Sequence, residues 1–264
     1  MRPELFPGAA QPYIFGHRGY SQRAPENTRS AFAACVDANI PGAEADVHRC
    51  ASGELVLTHD HSLERLTGRK LIVEETSYSE LLKLDMGAWF GSEFAGERIM
   101  RLEELFEEFG DSLYFDIELK QMDTPDHGLA VEVARCIEEF GLQTRVMVSS
   151  FNPSLLRHFA QVNPGVPTAC IYSSHQSVPW LLRHGWGFFY TGGEALKPHH
   201  ERIGWLSNAV YHRLFGRPFI SWTVNDVEEA RRVIKKGAVG IISDDPLPLL
   251  DLFFESPLRQ APRE

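Results

Sequence analysis

Short apolar runs rich in β-branched and aromatic residues recur along the chain, and most are followed by a stretch with helical periodicity. Runs of four to eight such residues between turn signals predict strands, and apolar positions repeating every three to four residues predict amphipathic helices. This pattern predicts nine strands, at residues 13–17, 43–48, 55–59, 113–119, 145–149, 167–172, 187–191, 218–222 and 239–243. It predicts helices at residues 27–39, 101–109, 128–140, 153–160, 177–184, 197–213 and 226–236.

The order of these elements predicts the fold class. Strand 55–59 follows strand 43–48 after only six residues, which are too few for a helical crossover and predict an antiparallel hairpin. The other eight strands alternate with helices, as in an α/β protein of the (β/α)8 TIM-barrel type. We therefore expect one domain over residues 1–264. Residues 49–100 are predicted to be an insertion after the second barrel strand, over the C-terminal mouth where active sites of this fold lie.

Acidic residues interrupt two of the predicted strands. Glu44 and Asp46 are two positions apart on strand 43–48, so both side chains point to the same face of the sheet. Glu118 lies at the end of strand 113–119. Acids at a strand end are often solvated or ion-paired, but three with this spacing offer the oxygen ligands that Mg²⁺ and Ca²⁺ prefer. The sequence therefore predicts a divalent metal site.

Basic side chains are predicted at the same rim. His17 follows the first strand, and His59 ends the strand of the hairpin. Two histidines beside a cation suit a reaction that removes one proton and delivers another near neutral pH. The guanidinium of Arg18 matches a phosphate group, and Lys120 supplies a further positive charge. Together these residues predict an anionic substrate.

The other histidines are given no role at this point. His48 continues the alternation of the two acids on its strand and can face the barrel mouth. His61, His127, His199 and His200 fall in predicted loops without a partner at a useful spacing, and we expect them on the surface.

Composition narrows the possible partners. The content of 43% hydrophobic and 23% charged residues is that of an ordinary globular protein, and no apolar run predicts a transmembrane segment. The N-terminal residues lack the apolar stretch of a signal peptide, so we expect a cytoplasmic protein. A net charge of -10 disfavours nucleic acid. The four cysteines show no C-x-x-C spacing and are expected to be buried and reduced.

Short motifs in a fixed order resemble those of the glycerophosphodiester phosphodiesterase family. They are GHRG (16–19), PENT (25–28), EADV (44–47), LVLTHD (55–60), LDMGAWF (84–90), FAGERI (94–99), IELK (117–120), SF (150–151), WTVN (222–225) and GIISDDP (240–246). Each motif is weak alone, but the ordered set is specific and extends over residues 14–247. The resemblance implies a TIM barrel with an insertion after the second strand, in agreement with the pattern of strands and helices.

The resemblance also implies an activity and assigns site residues. The activity is hydrolysis of a small glycerophosphodiester substrate to sn-glycerol 3-phosphate and an alcohol, with Mg²⁺ or Ca²⁺ as cofactor. The implied residues are the catalytic His17 and His59, the metal ligands Glu44, Asp46 and Glu118, and the phosphate-binding Arg18 and Lys120. Trp222 lies at a predicted strand end, where it can pack against the glycerol or the head group.

Three other functions remain open at this stage. A phospholipase D-like enzyme acting on lysophospholipids or sphingomyelin would seat an acyl chain on Trp89, Phe90 and Phe94, although these aromatic residues can equally hold the insertion to the barrel. A barrel glycosidase would use two of the acids, but it would give the histidines and basic residues no role. A non-catalytic phosphodiester-binding module could share the scaffold, because fold alone does not fix function.

Overall fold

Eight parallel strands close into a barrel in the computed structural model of this chain, which describes residues 4–121, 123, 125–175, 183–204, 211 and 214–254. The strands are β1 (Tyr13–Gly16), β2 (Gly42–Arg49), β3 (Leu55–Leu57), β4 (Tyr114–Leu119), β5 (Val146–Ser150), β6 (Thr168–Tyr172), β7 (Ala195–Pro198), β8 (Phe219–Ser221) and β9 (Ala238–Ser243). The α-helices are α1 (Arg29–Asp37), α2 (Glu64–Thr67), α3 (Tyr78–Leu81), α4 (Leu102–Phe109), α5 (Leu129–Glu139), α6 (Pro153–Val162), α7 (Gly187–Thr191), α8 (Val227–Lys235) and α9 (Leu247–Phe253). Short 3₁₀ helices occupy Val73–Glu75, Ser92–Phe94 and His200–Arg202.

The strand order confirms the TIM-barrel prediction. Hydrogen-bonded neighbours follow the order β1-β9-β8-β7-β6-β5-β4-β2, and pairing between β1 and β2 closes the ring. Strand β3 lies outside this ring and pairs with β2 in the antiparallel direction, as the short RCASGE connection predicts. The lower part of β2, at Gly42 and Ala43, pairs with β1, whereas its upper part, from Val47 to Arg49, pairs with β3.

The main core lies between the barrel and its helices, and local sequence signals set where those helices begin. The side chain of Asn152 accepts hydrogen bonds from the backbone N–H groups of Ser154 and Leu155, at the start of α6. Asp226 caps α8 in the same way through the N–H of Glu229. All four cysteines are buried and unpaired, as expected. Among the described residues, no helix is long and apolar enough to cross a membrane.

Two predicted elements are wrong. Residues 187–191 form helix α7 instead of a strand, and the seventh barrel strand is β7, at the start of the predicted helix 197–213. The sequence GFFYT has strong β-propensity, but Phe189 and Tyr190 are adjacent and both exposed, whereas a strand of a parallel barrel is buried on both faces. The sequence pattern does not predict β7 because this strand contains Lys197 and Pro198, and neither residue type is typical of a buried strand.

The predicted helices 177–184 and 197–213 can be compared with the structure only in part. Residues 177–182 of the predicted helix 177–184 lie outside the described residues, as do 205–210 and 212–213 of the predicted helix 197–213. Residues 200–202 of that second segment form a 3₁₀ helix. Helix α9 follows the last strand and was not predicted.

The stretch between β2 and α4 has a small apolar core of its own. This core contains Cys50, Val56, Leu63, Leu66, Val73, Leu81, Leu84, Met86 and Ile99. The stretch is therefore held by packing, with the short helices α2 and α3 and two 3₁₀ helices in place of a structureless loop.

Candidate active site

All eight site residues named from the sequence line one cavity at the C-terminal ends of the barrel strands. The cavity has a volume of about 790 Å³. The eight residues are His17, Arg18, Glu44, Asp46, His59, Glu118, Lys120 and Trp222. They come from β1, β2, β3, β4 and β8 or the residues that follow these strands, so the closed barrel brings together groups far apart in sequence.

The acids form two layers across the β2–β4 pair. Glu44 lies beside Asp116, and Asp46 lies beside Glu118, so four carboxylates point into the barrel in register. Carboxylate oxygens of Glu44, Asp46 and Glu118 lie within 4.8 Å of one another, and all three residues are buried. Three converging carboxylates are the donor set of a hard divalent cation such as Mg²⁺ or Ca²⁺, so the residues present fit the predicted cofactor.

Two lysines, one of them buried, balance this negative charge. Lys120 Nζ lies 2.6 Å from Glu118 Oε1 and 2.9 Å from Asp46 Oδ1. Lys197 is only 2% exposed and lies deeper in the barrel. Its Nζ is 2.9 Å from Asp116 Oδ2, 3.4 Å from Glu44 Oε1 and 3.2 Å from Ser149 Oγ. Lys120 therefore pairs with the Asp46–Glu118 layer, and Lys197 pairs with the Glu44–Asp116 layer.

The carboxyl pKa values diverge because their neighbours differ. Burial and the adjacent charge of Asp46 raise the pKa of Glu44 to about 7. Burial also opposes ionisation of Asp46, but the positive charges of Lys120 and Arg18 hold the pKa of this carboxyl well below its usual range. Burial raises the pKa of Asp116, more than Lys197 lowers it. Closely spaced carboxyl groups with separated pKa values are typical of a functional site.

The GHRG turn has a steric reason for its glycines. A side-chain carbon on Gly16 would lie 2.6 Å from the carbonyl oxygen of Gly19, and one on Gly19 would lie 2.7 Å from the side chain of Ala31. Arg18 adopts a φ of 58°, which is uncommon for a residue other than glycine. This turn aims the Arg18 backbone N–H at Glu44 Oε2 (3.0 Å). It also brings Arg18 Nε to 3.3 Å from Asp46 Oδ2.

The PENT motif supports these groups from outside the cavity, a role that sequence reasoning left unassigned. The Asn27 side chain donates to Asp46 Oδ2 (2.9 Å) and accepts from the Asp46 backbone N–H (3.2 Å). Glu26 accepts a hydrogen bond from Arg18 Nη1 at 2.9 Å. The motif therefore orients one candidate ligand and one candidate phosphate-binding group.

Each candidate catalytic histidine is oriented by an aspartate. His17 Nδ1 lies 2.6 Å from Asp244 Oδ1, and His59 Nδ1 lies 2.7 Å from Asp60 Oδ1. Burial opposes ionisation of Asp244, but the hydrogen bond with His17 brings its pKa down to about 2. Burial lowers the pKa of His59, although the charge of Asp46 acts in the opposite direction. With Nδ1 engaged, Nε2 of each ring is the atom available for proton transfer.

The hairpin explains how His59 reaches the cavity. Strand β3 runs back along β2 towards the barrel, and the Thr58 N–H donates to the Asp46 carbonyl at 3.2 Å. His59 is the next residue, so this contact fixes it at the level of the carboxylates. Trp222 borders the cavity from β8, where its Nε1–H donates to the Lys197 carbonyl at 2.9 Å.

Several groups in and around the site were missed by sequence reasoning. Asp116 precedes Glu118 by two positions, so the alternation that singles out Glu44 and Asp46 would have found it. Asp244 directly follows the last strand, in a motif already noted. Lys197 could not be found in this way because its strand was assigned as helix.

His61 and His127 are exposed, as expected, whereas His199 and His200 are only partly exposed. His199 lines the cavity, and His200 pairs with Glu229 at 2.6 Å. His127 Nε2 lies 2.9 Å from Asp123 Oδ2. His48 and His61 both contact Glu74 and are not isolated surface groups.

The barrel and the cavity define the class of protein, a TIM-barrel enzyme with a charged site at its C-terminal mouth. A sequence model of the glycerophosphoryl diester phosphodiesterase family matches residues 17–247. The chain belongs to this family and is a phosphoric diester hydrolase.

Individual relatives agree with this assignment. A glycerophosphodiester phosphodiesterase of Caldanaerobacter subterraneus subsp. tengcongensis is 34% identical over 246 residues, which cover 90% of this chain and 96% of the relative. An Oleispira antarctica phosphodiesterase, solved in complex with the product sn-glycerol-3-phosphate, has a TM-score of 0.77 at 25% identity, covering 91% of this chain and 96% of that one. A lysophospholipase D of Homo sapiens is 25% identical over 275 residues, covering 89% of this chain and 84% of the relative.

Proposed function

We propose that this chain hydrolyses small glycerophosphodiesters, such as glycerophosphocholine, to sn-glycerol 3-phosphate and an alcohol. The observation that carries the proposal is the convergence of three carboxylates, two cationic groups and two aspartate-oriented histidines on one cavity. The relative of known structure that holds sn-glycerol-3-phosphate supports the same substrate class.

The phosphate subsite follows from the charges at the cavity rim. Arg18 and Lys120 line the cavity and offer N–H donors to the phosphoryl oxygens, where negative charge increases in the transition state. A divalent cation held by Glu44, Asp46 and Glu118 would neutralise phosphoryl charge at this position. Trp222 and Phe151 add an aromatic wall, with ring centroids 5.7 Å apart, against which the glycerol or the head group can pack.

The two histidines supply and remove protons. We assign one Nε2 to accept the proton of the adjacent glycerol hydroxyl as it attacks phosphorus, and the other to protonate the leaving alcohol oxygen. Water then opens the resulting cyclic phosphate to sn-glycerol 3-phosphate, with proton transfer by the same two rings. Asp244 and Asp60 hold the His17 and His59 rings in the required orientation. Residues 49–100 are part of this proposal as an insertion within a single domain, because the stretch carries His59 and packs on its own small core.

Metal removal gives a direct test. We expect EDTA to reduce sn-glycerol 3-phosphate release from glycerophosphocholine by more than about 100-fold, because an active-site cation contributes several kcal/mol of charge stabilisation. Added Mg²⁺ or Ca²⁺ should restore release in the wild-type chain but not in Glu44→Gln. Turnover that resists EDTA would contradict the role of the cation but would still agree with the proposed substrate class. No release with any cation would refute the substrate class.

A lysophospholipid substrate is the second candidate, favoured by one observation beside the cavity. Trp89 is 42% exposed, and its ring lies 6.0 Å from the guanidinium of Arg65. Arg65 contacts Asp60, the partner of His59, at 2.6 Å. An apolar surface thus begins next to the proton-transfer group, where an acyl chain could lie. The human relative named lysophospholipase D supports this alternative.

Substitution of Trp89 separates the two substrates. If the acyl chain packs on this ring, Trp89→Ala should lower kcat/KM for lysophosphatidylcholine about 10-fold and leave glycerophosphocholine hydrolysis unchanged, because only the lipid substrate buries the indole. Trp186→Ala is the matched control, since Trp186 is also exposed, at 63%, but precedes α7 and is not part of the 49–100 stretch that carries His59. Equal effects of Trp89→Ala on both substrates would argue against a lipid-binding role.

A further inference from the structure

A second group of metal-ligating side chains lies outside the active-site cavity. It consists of His48 on β2, His61 near the end of the hairpin and Glu74 in the 3₁₀ helix Val73–Glu75, with ligand atoms within 4.8 Å of one another. His48 Nδ1 lies 2.6 Å from Glu74 Oε1, and His61 Nδ1 lies 2.7 Å from the same oxygen. The two rings meet edge to face, with centroids 4.9 Å apart.

The ring of His48 is held in place on both sides. His48 is fully buried, and its Nε2 faces the carbonyl oxygen of His59 at 3.4 Å. Nδ1 of the same ring lies against Glu74 Oε1, as does Nδ1 of His61. Two ring nitrogens and one carboxylate oxygen therefore converge on one point from three separate segments of the chain.

The donor set discriminates between metals. Two imidazole nitrogens and one carboxylate are a known ligand set for Zn²⁺, whereas the all-carboxylate set in the active site suits Mg²⁺ or Ca²⁺. A ligating histidine typically donates its other N–H to a backbone carbonyl, which is the contact between His48 and His59. The His61 side chain is 52% exposed, which provides an entry path and space for water as a fourth ligand.

We propose that His48, His61 and Glu74 form a site for a borderline divalent cation, with Zn²⁺ as the best match. The site joins β2 to the 3₁₀ helix and fixes the hairpin end on both sides of His59. Through the contact between His48 and the His59 carbonyl, it acts as a positioning device for a residue that faces the substrate cavity. This site is separate from the carboxylate site and from the proposed hydrolysis.

Metal binding by the full chain tests this proposal. Metal-free protein is equilibrated with excess Mg²⁺, which occupies the carboxylate site, and then titrated with Zn²⁺ in a calorimeter. We expect one equivalent of Zn²⁺ and a rise in the Tm of the wild-type chain. Loss of an outer partner alone weakens metal affinity by about 10- to 100-fold, so His61→Ala should weaken Zn²⁺ binding by at least about 100-fold and abolish the Tm rise.

Two further variants make the result unambiguous. His158→Ala is the matched control, because His158 is also half-exposed and pairs with one acid, Asp126, at 2.9 Å. It should bind Zn²⁺ as the wild type does. Asp46→Asn removes a ligand of the carboxylate site and should also retain the Zn²⁺ equivalent. The proposal is wrong if the wild type takes up no Zn²⁺, if His61→Ala binds it unchanged, or if only Asp46→Asn loses it.

Discussion

Replacement of His17 by alanine is expected to reduce kcat for glycerophosphocholine hydrolysis by about 10² to 10⁴-fold. This range is the usual contribution of a positioned general acid or base. The KM should change less than kcat, because Arg18 and Lys120 still bind the phosphate group in the variant. The measurement is sn-glycerol 3-phosphate release at saturating substrate and cation, with folding checked by circular dichroism.

His200→Ala provides a close control for this loss. His200 pairs with Glu229 at 2.6 Å, the same distance as that between His17 and Asp244, but it does not line the cavity. Both variants therefore lose one histidine–carboxylate contact, and only one loses a cavity group. A decrease of similar size in the two variants would show that His17 acts through stability alone and would contradict its catalytic assignment.

Lys197→Met is expected to destabilise the protein by about 3–5 kcal/mol. Removal of one partner from a buried ion pair leaves an uncompensated charge, and here Asp116 and Glu44 both lose their buried cation. Methionine keeps most of the side-chain volume, so the loss reports charge and not a cavity. The measurement is the denaturation midpoint in urea at fixed pH and cation concentration.

Two additional variants test the electrostatic origin of that loss. Lys70→Met changes an 82% exposed lysine that pairs with Glu64 at 3.5 Å, and it should alter stability by less than about 1 kcal/mol. Asp116→Asn combined with Lys197→Met should recover part of the lost stability, because the buried carboxylate is then neutral. If Lys197→Met alone is as stable as the wild type, the buried carboxylates are not stabilised by the charge of Lys197.

The sequence predicts the barrel well where local and global signals agree. Continuous apolar runs identify seven of the eight barrel strands, and the short RCASGE connection identifies the hairpin. The prediction fails at 187–191 and 195–198, where propensity opposes the tertiary environment. Phe189 and Tyr190 favour a strand but lie in a surface helix, and Lys197 disfavours one but lies in the barrel interior.

The sequence likewise predicts some of the site residues and misses others. Alternation on β2 and β4 predicts that Glu44, Asp46 and Glu118 converge, and ordered motifs predict the basic residues around them. Partners that come from distant loops carry no local signal. Asp244 lies 227 residues from His17, and Asn27 reaches Asp46 only because the turn after β1 folds over the rim. Such contacts depend on barrel closure, which periodicity does not describe.

The charged groups of the barrel mouth also determine the net charge of the site. Four carboxylates face three permanent cations, the set being Glu44, Asp46, Asp116 and Glu118 against Arg18, Lys120 and Lys197. The fully ionised set is negative by one charge, and burial together with the adjacent charge of Asp46 raises the pKa of Glu44. A divalent cation bound to these carboxylates would reverse the sign, and a phosphodiester monoanion would then make the loaded site neutral. A phosphate monoester approaches two negative charges at pH 7, so the same site holding the product would be negative by about one charge.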